Sequence, residues 1–416
     1  MDRIGGKLLA AAAAAAVSLA APARAAPDGP FEERALASVP PGLEVKGGIE
    51  FSPDGAHVAY VAGKDDKDVP VIDAKTFDAH WWVSRPSFSA DGRVAFRIVK
   101  APEKRVQATW LLVDGKRLPG SDGVGEFAWS PDGRRLAFFA FPKCEIADDR
   151  SRTGDCVLVV DGKAGAKRTA FSEPVWSADS RHVAAVAEMQ SKSKKVTWAV
   201  LADEKPVAEG GQFDGPALSA DGGRVAYAVS EDPAKLKWIV ACGDLRLGKQ
   251  FDGAGSPVFS PDGRRIAFKA EKAGRAGVAV DDGAVDAAWA FVASPVFSPD
   301  GARLAFAASG DCNVPDGLRV LRMGDHVVKG GSWQVVLDGK AGSDKYDEVR
   351  DLRFSADGKR LAFRARRGAK WRAVCGDKRS DEFDFVGAPR FSTDGVRLAF
   401  GVLAGRDFAW KVVALE

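Results

Sequence analysis

Histidine is scarce in this chain, with only His57, His80, His182 and His326 among 416 residues. That leaves little room for acid–base catalysis built on imidazole. The five cysteines, Cys144, Cys156, Cys242, Cys312 and Cys375, form no CxxC pair and no Cys/His spacing of a zinc site. No Gly-x-Ser-x-Gly elbow of a hydrolase occurs. Excess charge of either sign is also missing: 60 Lys and Arg face 57 Asp and Glu, for a formal net charge of +3. Removing residues 1–25 takes away Arg3, Lys7, Arg24 and Asp2, which leaves +1. A nearly neutral chain carries no signal for nucleic acid or for an anionic membrane surface. The one long apolar run, Leu8–Ala21, is shorter than the ~20 residues that a spanning helix needs.

That run has the form of an export signal. Arg3 and Lys7 precede it, and Ala23-Arg24-Ala25 supplies a small-x-small cleavage site before Ala26-Pro27. Residues 1–25 therefore read as a signal peptide cleaved after Ala25, and the mature chain as periplasmic or secreted with no membrane span. In such a compartment disulfides persist. Cys144 and Cys156 flank a loop between two apolar runs and are expected to staple a hairpin. Cys242 and Cys375 occupy the same place in two distant units, which argues against their pairing with each other. The odd cysteine count leaves at least one thiol or an intermolecular bond.

What the chain has in abundance is repetition. A nine-residue phrase, Phe51-Ser-Pro-Asp-Gly-Ala-His-Val-Ala at first, returns from Phe88, Trp129, Trp176, Leu218, Phe259, Phe297, Phe354 and Phe391, at spacings of 37 to 57 residues. A period near 40 marks a repeat architecture. The stretch from Ser256 shows one unit. Pro257-Val258-Phe259 is short and apolar, Asp262-Gly263 is a hairpin signal, Ile266-Ala267-Phe268 is a second strand and Gly277–Val280 a third. Ala288–Val292 is expected to supply the fourth. Pro86, Pro174, Pro216, Pro257, Pro295 and Pro389 all stand two residues before the phrase. Proline is tolerated in a sheet where its missing N–H is not needed, so this register fits the edge strand lining a central channel. The fold expected is all-β: a single β-propeller of four-stranded blades over residues 47–416, with nine units and eight blades as the close alternative. Residues 26–46 form an N-terminal segment. Residues 40–46 are expected to supply the strand that completes the last blade, which runs out after its third.

Two other features recur. Tryptophan opens the third strand at Trp110, Trp198, Trp238, Trp333, Trp371 and Trp410, where packing between blades is expected. A basic residue recurs at His57, Arg93, Arg135, His182, Arg224, Arg265, Arg303, Arg360 and Arg397, together with the motif aspartates Asp54 to Asp394. A residue needed in every unit is explained more simply by building the unit than by a ring of anion sites.

The segment Ser130-Pro-Asp-Gly-Arg-Arg-Leu-Ala-Phe138 resembles the WD40-like PD40 repeat of the TolB family, and the resemblance covers residues 47–416. It implies a propeller and work in the cell envelope. Related repeats form the propellers of prolyl-oligopeptidase-type enzymes. TolB-like proteins carry an α/β domain before the propeller, whereas residues 26–46 are too few for one. Oligopeptidases carry a C-terminal hydrolase domain, and this chain ends at Glu416 inside its last unit. The expectation is a propeller standing alone.

Variable loops on a rigid scaffold are the default binding surface. Here they follow the second strands, opposite the short Asp-Gly turns. Candidates are Glu145, Asp148, Asp149 and Arg150 in the 141–155 loop, and Asp311, Asp325 and His326 in the 309–332 insert. The Gly63–Asp68 run, Gly-Lys-Asp-Asp-Lys-Asp, is a third loop that lacks the ordered spacing of a calcium site. No catalytic residue, metal or cofactor is assigned. The reading favoured is a non-catalytic, monomeric, exported propeller that binds a protein or cell-envelope component through this loop face. The alternative is a hydrolase or lyase acting on peptide or glycan at the central channel.

Overall fold

A computed structural model describes residues 32–415, except 101–107, 121–122, 142–144, 147–151, 154–155, 191–195, 231–236, 284, 286, 315–327 and 329. Nine antiparallel sheets follow one another along the chain and form a nine-bladed β-propeller. Each phrase ends the inner strand of a blade: Glu44–Phe51 in blade 1, Val124–Trp129 in blade 3, Glu348–Phe354 in blade 8. Where proline stands before the phrase, the inner strand breaks in two or shifts register, as at Ser172–Pro174 and between Gly255 and Val258. Residues with no N–H to donate thus lie where the ladder is already interrupted. Among the described residues no helix is long and apolar enough to cross a membrane.

The ring closes through the N-terminus. Arg34–Ser38 pairs antiparallel with Asp407–Ala414 as the outer strand of blade 9. The expected closing segment, residues 40–46, is displaced by six residues. Pro40-Pro41 offers no N–H for a ladder, so the chain turns there, with Leu43 N donating to Pro40 O at 3.2 Å. Residues from Glu44 onward already belong to blade 1. Arg406 holds the turn, its Nη2 donating to Val39 O at 2.9 Å and Pro40 O at 2.8 Å. Trp410, 1% exposed, fills the seam beside Phe51, with ring centroids 6.2 Å apart. It lies flush under the motif turn of blade 1. A Cβ on Gly55 would stand 2.3 Å from the indole, and Gly55 also needs φ of +63°.

A second expectation is corrected in blade 6. Phe291–Val292 pairs with Ser309 and Ala308, so it begins the inner strand of blade 7 rather than ending blade 6. The described residues of blade 6 form three strands, and Ala276 bridges Trp289 beyond them. The Gly63–Asp68 run is no loop either. Lys64 pairs with Lys67 across a tight turn in which Asp65 and Asp66 take φ of 47° and 61°.

The repeated polar residues build the blades and join them. In each motif the serine hydroxyl donates to the aspartate two residues on, and in every blade but the second it accepts the backbone N–H five residues on, as in Ser260 Oγ to Asp262 Oδ1 at 2.6 Å and Arg265 N to Ser260 Oγ at 2.9 Å. The serine bond, followed by a backbone N–H, holds Asp262, Asp300 and Asp357 below the usual aspartate range. The recurrent basic residue reaches outward to the next blade. Arg135 Nε pairs with Asp161 at 2.7 Å, its Nη1 donates to Ser180 O at 3.0 Å, and its guanidinium lies 4.7 Å from the centre of the Trp176 ring. Arg93, Arg224, Arg265, Arg303 and Arg360 donate likewise to Gly133, Gly263, Gly301, Gly358 and Gly395, each the motif glycine of the following blade. His57 and His182 bind the local aspartates instead, at 2.9 Å from Asp73 and 2.6 Å from Asp203. The recurrent arginines of blades 2, 3 and 5 to 8 are therefore stitches between blades. Of the third-strand tryptophans, Trp333 and Trp410 are buried, while Trp198 is 36% exposed.

Candidate functional site: the wall of the central channel

Nine inner strands present their free edges to the channel, so the residues that matter are those just before the phrase. Immediately before it, six blades carry small or apolar side chains: Ser87, Ala128, Val175, Ala217, Val258 and Val296. Three carry charge: Arg353, Arg390 and Glu50. These belong to blades 8, 9 and 1, which are consecutive once the ring closes. Two residues further back stand Asp351 in blade 8, Arg85 in blade 2, Glu126 in blade 3 and Glu173 in blade 4, against Gly215, Ser256 and Ser294 in blades 5 to 7. The wall is charged on one arc and small on the other.

Within the arc, Glu50 forms an ion pair with Arg85. The two inner strands come close because Gly48 has no side chain; a Cβ there would lie 3.1 Å from Arg85 Cα. Asp351, at φ 55°, sets Oδ2 2.5 Å from Arg364 Nε. Arg364 comes from the second strand of blade 8 and is 5% exposed. It donates to Val386 O at 2.7 Å and lies 4.9 Å from the Phe385 ring centre and 5.1 Å from Trp371. Arg350 and Arg366 flank Glu348 at 2.8 and 3.3 Å.

The two carboxylates are driven apart. Burial raises Glu50 above the usual glutamate range, opposed by Arg85 and Arg364 and reinforced by the charge of Asp351. Burial acts on Asp351 in the same sense, but Arg364 and then Arg85 outweigh it and hold Asp351 below its usual range. Arg390 is depressed by burial and by the neighbouring Arg353, against the pull of Glu50 and Asp54. Neither Arg353 nor Arg390 has a hydrogen bond or ion pair from its side chain among the described residues.

Of the loop candidates, only Glu145 and Asp311 lie among the described residues. Asp148, Asp149, Arg150, Asp325 and His326 lie outside the described residues, as do Cys144 and the whole of residues 1–31. Glu145 sits on a short accessory hairpin, Glu145–Ile146 with Arg152–Thr153. Asp311 is engaged as a clasp: its Oδ1 accepts Ser332 N at 2.6 Å and Ser309 Oγ at 3.1 Å, tying the two ends of the long insert. Cys156 is buried, with Sγ 3.5 Å from Arg168 O. Cys242 and Cys375 are buried free thiols at equivalent places in blades 5 and 8. His80 packs edge-on against Trp110 at 5.5 Å, and burial lowers its pKa. Among the described residues no group of three or more His, Cys, Asp or Glu gathers as a metal site. On the loop face, where the inner strand of blade 2 begins, Trp81 and Trp82 stand 53% and 39% exposed.

Reading the phrase from its aromatic onward misses the channel arc. The signal was one residue earlier, in a column that is small or apolar six times and charged in blades 8, 9 and 1.

No family model matches the chain, and no curated protein matches it. Among solved structures it is similar to an acylaminoacyl peptidase of Pyrococcus horikoshii, with 16% identity, a TM-score of 0.41, and coverage of 77% of this chain and 57% of that one. The chain thus spans little more than half the length of that peptidase. It is also similar to the Dos1 propeller, with 10% identity, a TM-score of 0.40, and coverage of 79% and 92%. A third is the β-propeller domain of the Trilobed protease from Pyrococcus furiosus, with 12% identity, a TM-score of 0.38, and coverage of 80% and 95%.

Proposed function

We propose that this chain is a non-catalytic exported propeller that binds a protein or cell-envelope partner through its loop face. The observation that carries this reading is the pair Trp81 and Trp82, exposed on that face. Strand alternation ends the second strands of blades 3 and 7, at Ala140 and Ser309, on the same face. Tryptophan left in water forgoes a large burial energy, and exposed aromatics of this kind are the anchors of recognition surfaces. The test is crosslinking capture from the envelope extract of the source organism. The chain lacking residues 1–25 is compared with a Trp81→Ser/Trp82→Ser double variant. A partner recovered by the first and depleted at least about tenfold with the second is expected. Equal recovery, or none, overturns the reading.

A second reading rests on Glu50 and Asp351. Two carboxylates in one wall, shifted in opposite directions, are the arrangement by which an acid and a base are set at one pH. It assigns the chain to hydrolysis or elimination on peptide or glycan in the channel. Turnover in a peptide and glycan screen that disappears with Glu50→Gln supports it; turnover unchanged in that variant removes it.

A further inference from the structure

Arg353 and Arg390 are set apart from the arginines around them. In the same part of the molecule Arg85 pairs with Glu50, Arg364 with Asp351, Arg350 and Arg366 with Glu348, and Arg372 with Glu382. Arg97, in the second strand of blade 2, pairs with Glu126 at 2.7 Å. Arg353 and Arg390 occupy the same column of adjacent blades, feel each other's charge and have no counter-ion of their own. Glu50, the next residue of that column, is committed to Arg85.

Like charges set side by side without a partner repel, and a folded chain gains nothing from holding them there. The surroundings sharpen the point. A channel wall is a low-dielectric surface that focuses the field of the groups lining it. The same column across the channel presents Ala128, Val175 and Ala217, which offer neither charge nor bulk. Each guanidinium carries five N–H donors in a planar fork that matches an oxyanion. Two such forks on neighbouring blades of one wall suit a carboxylate or phosphate group.

We propose that Arg353 and Arg390 form an oxyanion-binding site in the central channel, at the end nearest the Asp-Gly motif turns, which receives the carboxylate or phosphate group of a ligand. Glu50, already paired with Arg85, bounds the site on the blade 1 side. The site lies at the other end of the inner strands from Trp81 and Trp82. It stands or falls independently of the loop-face reading.

The test is calorimetric titration of the chain lacking residues 1–25 with two probes. One is inorganic phosphate; the other is a short neutral peptide with a free C-terminal carboxylate, with its C-terminal amide as reference. Saturable binding of at least one anionic probe is expected, weakened about tenfold or more by Arg353→Gln and by Arg390→Gln, since charge-assisted bonds are lost. Arg372→Gln, remote from the channel column, leaves binding unchanged. Phosphate binding without peptide binding assigns a phosphate-bearing ligand; the reverse, with the amide silent, assigns a carboxylate. Neither probe binding, or binding unaffected by both channel substitutions, overturns the proposal. Thermal melting guards against misfolding. Removing either unpaired charge should leave the midpoint unchanged or raise it, and a fall as large as that of a blade-joining arginine means that Arg390 is structural.

Discussion

Two columns of arginine run round this ring, and the same side chain has two fates in them. In the motif column Arg135 meets Asp161, the carbonyl of Ser180 and the face of Trp176, all from two adjoining blades. In the channel column Arg353 and Arg390 repel each other across neighbouring blades and form no ion pair among the described residues, with Glu50 and Asp54 acting on Arg390 only through space. The first arrangement satisfies most donors of the guanidinium within the chain. The second leaves them directed to whatever enters the channel. A charge that finds its partners inside the fold belongs to the fold, while one that does not is available for a ligand.

The contrast can be broken most severely at the seam, where an aromatic side chain rather than an arginine joins the blades. Trp410→Ala removes a side chain that is 1% exposed and opens a space beneath Gly55. A loss of about 3–5 kcal/mol is expected in urea unfolding, on the scale of buried aromatic truncations. A loss under about 1 kcal/mol would mean that the seam is held by the closing strand alone.

A smaller effect is expected within the motif column. Arg135→Gln loses an ion pair, the bonds to Ser180 and Arg181 carbonyls and a stacking contact. About 1–3 kcal/mol is expected, because the arginine is about one-third exposed and the ion pair is partly screened. His182→Gln at the blade 4 position should lose less, having one aspartate partner and no carbonyl across the interface.

The pH dependence of the motif turns follows from the same chemistry. Asp262, Asp300, Asp357 and Asp394 are held below 3.8 by their serines and backbone N–H groups. The contribution of a depressed carboxylate is complete above its unfolded value and is lost as pH falls through the folded one. Stability should thus be flat above about pH 5 on this account and fall steeply below pH 4. His57 has the opposite sign. Asp73 raises its pKa, so its contribution is complete below 6.5 and fades as pH rises through the folded value. Its effect is the smallest of these, the ring being half exposed. An acid limb unchanged by Ser260→Ala together with Ser298→Ala would detach the turns from it.

Much of the fold could be read from residues alone. Nine phrases, six prolines at one register and the Asp-Gly turns each depend on local backbone requirements, and such requirements are written in the sequence. Closure by the N-terminal segment 26–46 is legible too, and only the stretch within it differs. The choice between 34–38 and 40–46 rests on which residues can donate to a ladder, and Pro40-Pro41 decides it. The Ala288–Val292 run is shared between two blades, Trp289 bridging Ala276 in blade 6 and Phe291–Val292 pairing in blade 7, because a short apolar run does not say which neighbour it pairs with. The candidate site was the least legible part. Arg353, Arg390 and Glu50 are far apart in sequence, and only ring closure makes blades 8, 9 and 1 neighbours. Asp311 looked like a surface acid, yet its bonds lie with Ser309 and Ser332.

The most direct test sets the two columns side by side. The thermal midpoints of Arg135→Gln and Arg390→Gln are measured against the parent chain in one phosphate-free buffer. Arg135→Gln should melt lower, because its partners lie within the fold. Arg390→Gln should melt at the same temperature or higher, because its removal relieves repulsion. Equal falls in both would contradict the account, since the channel arginine would then be holding blades together as the motif arginine does.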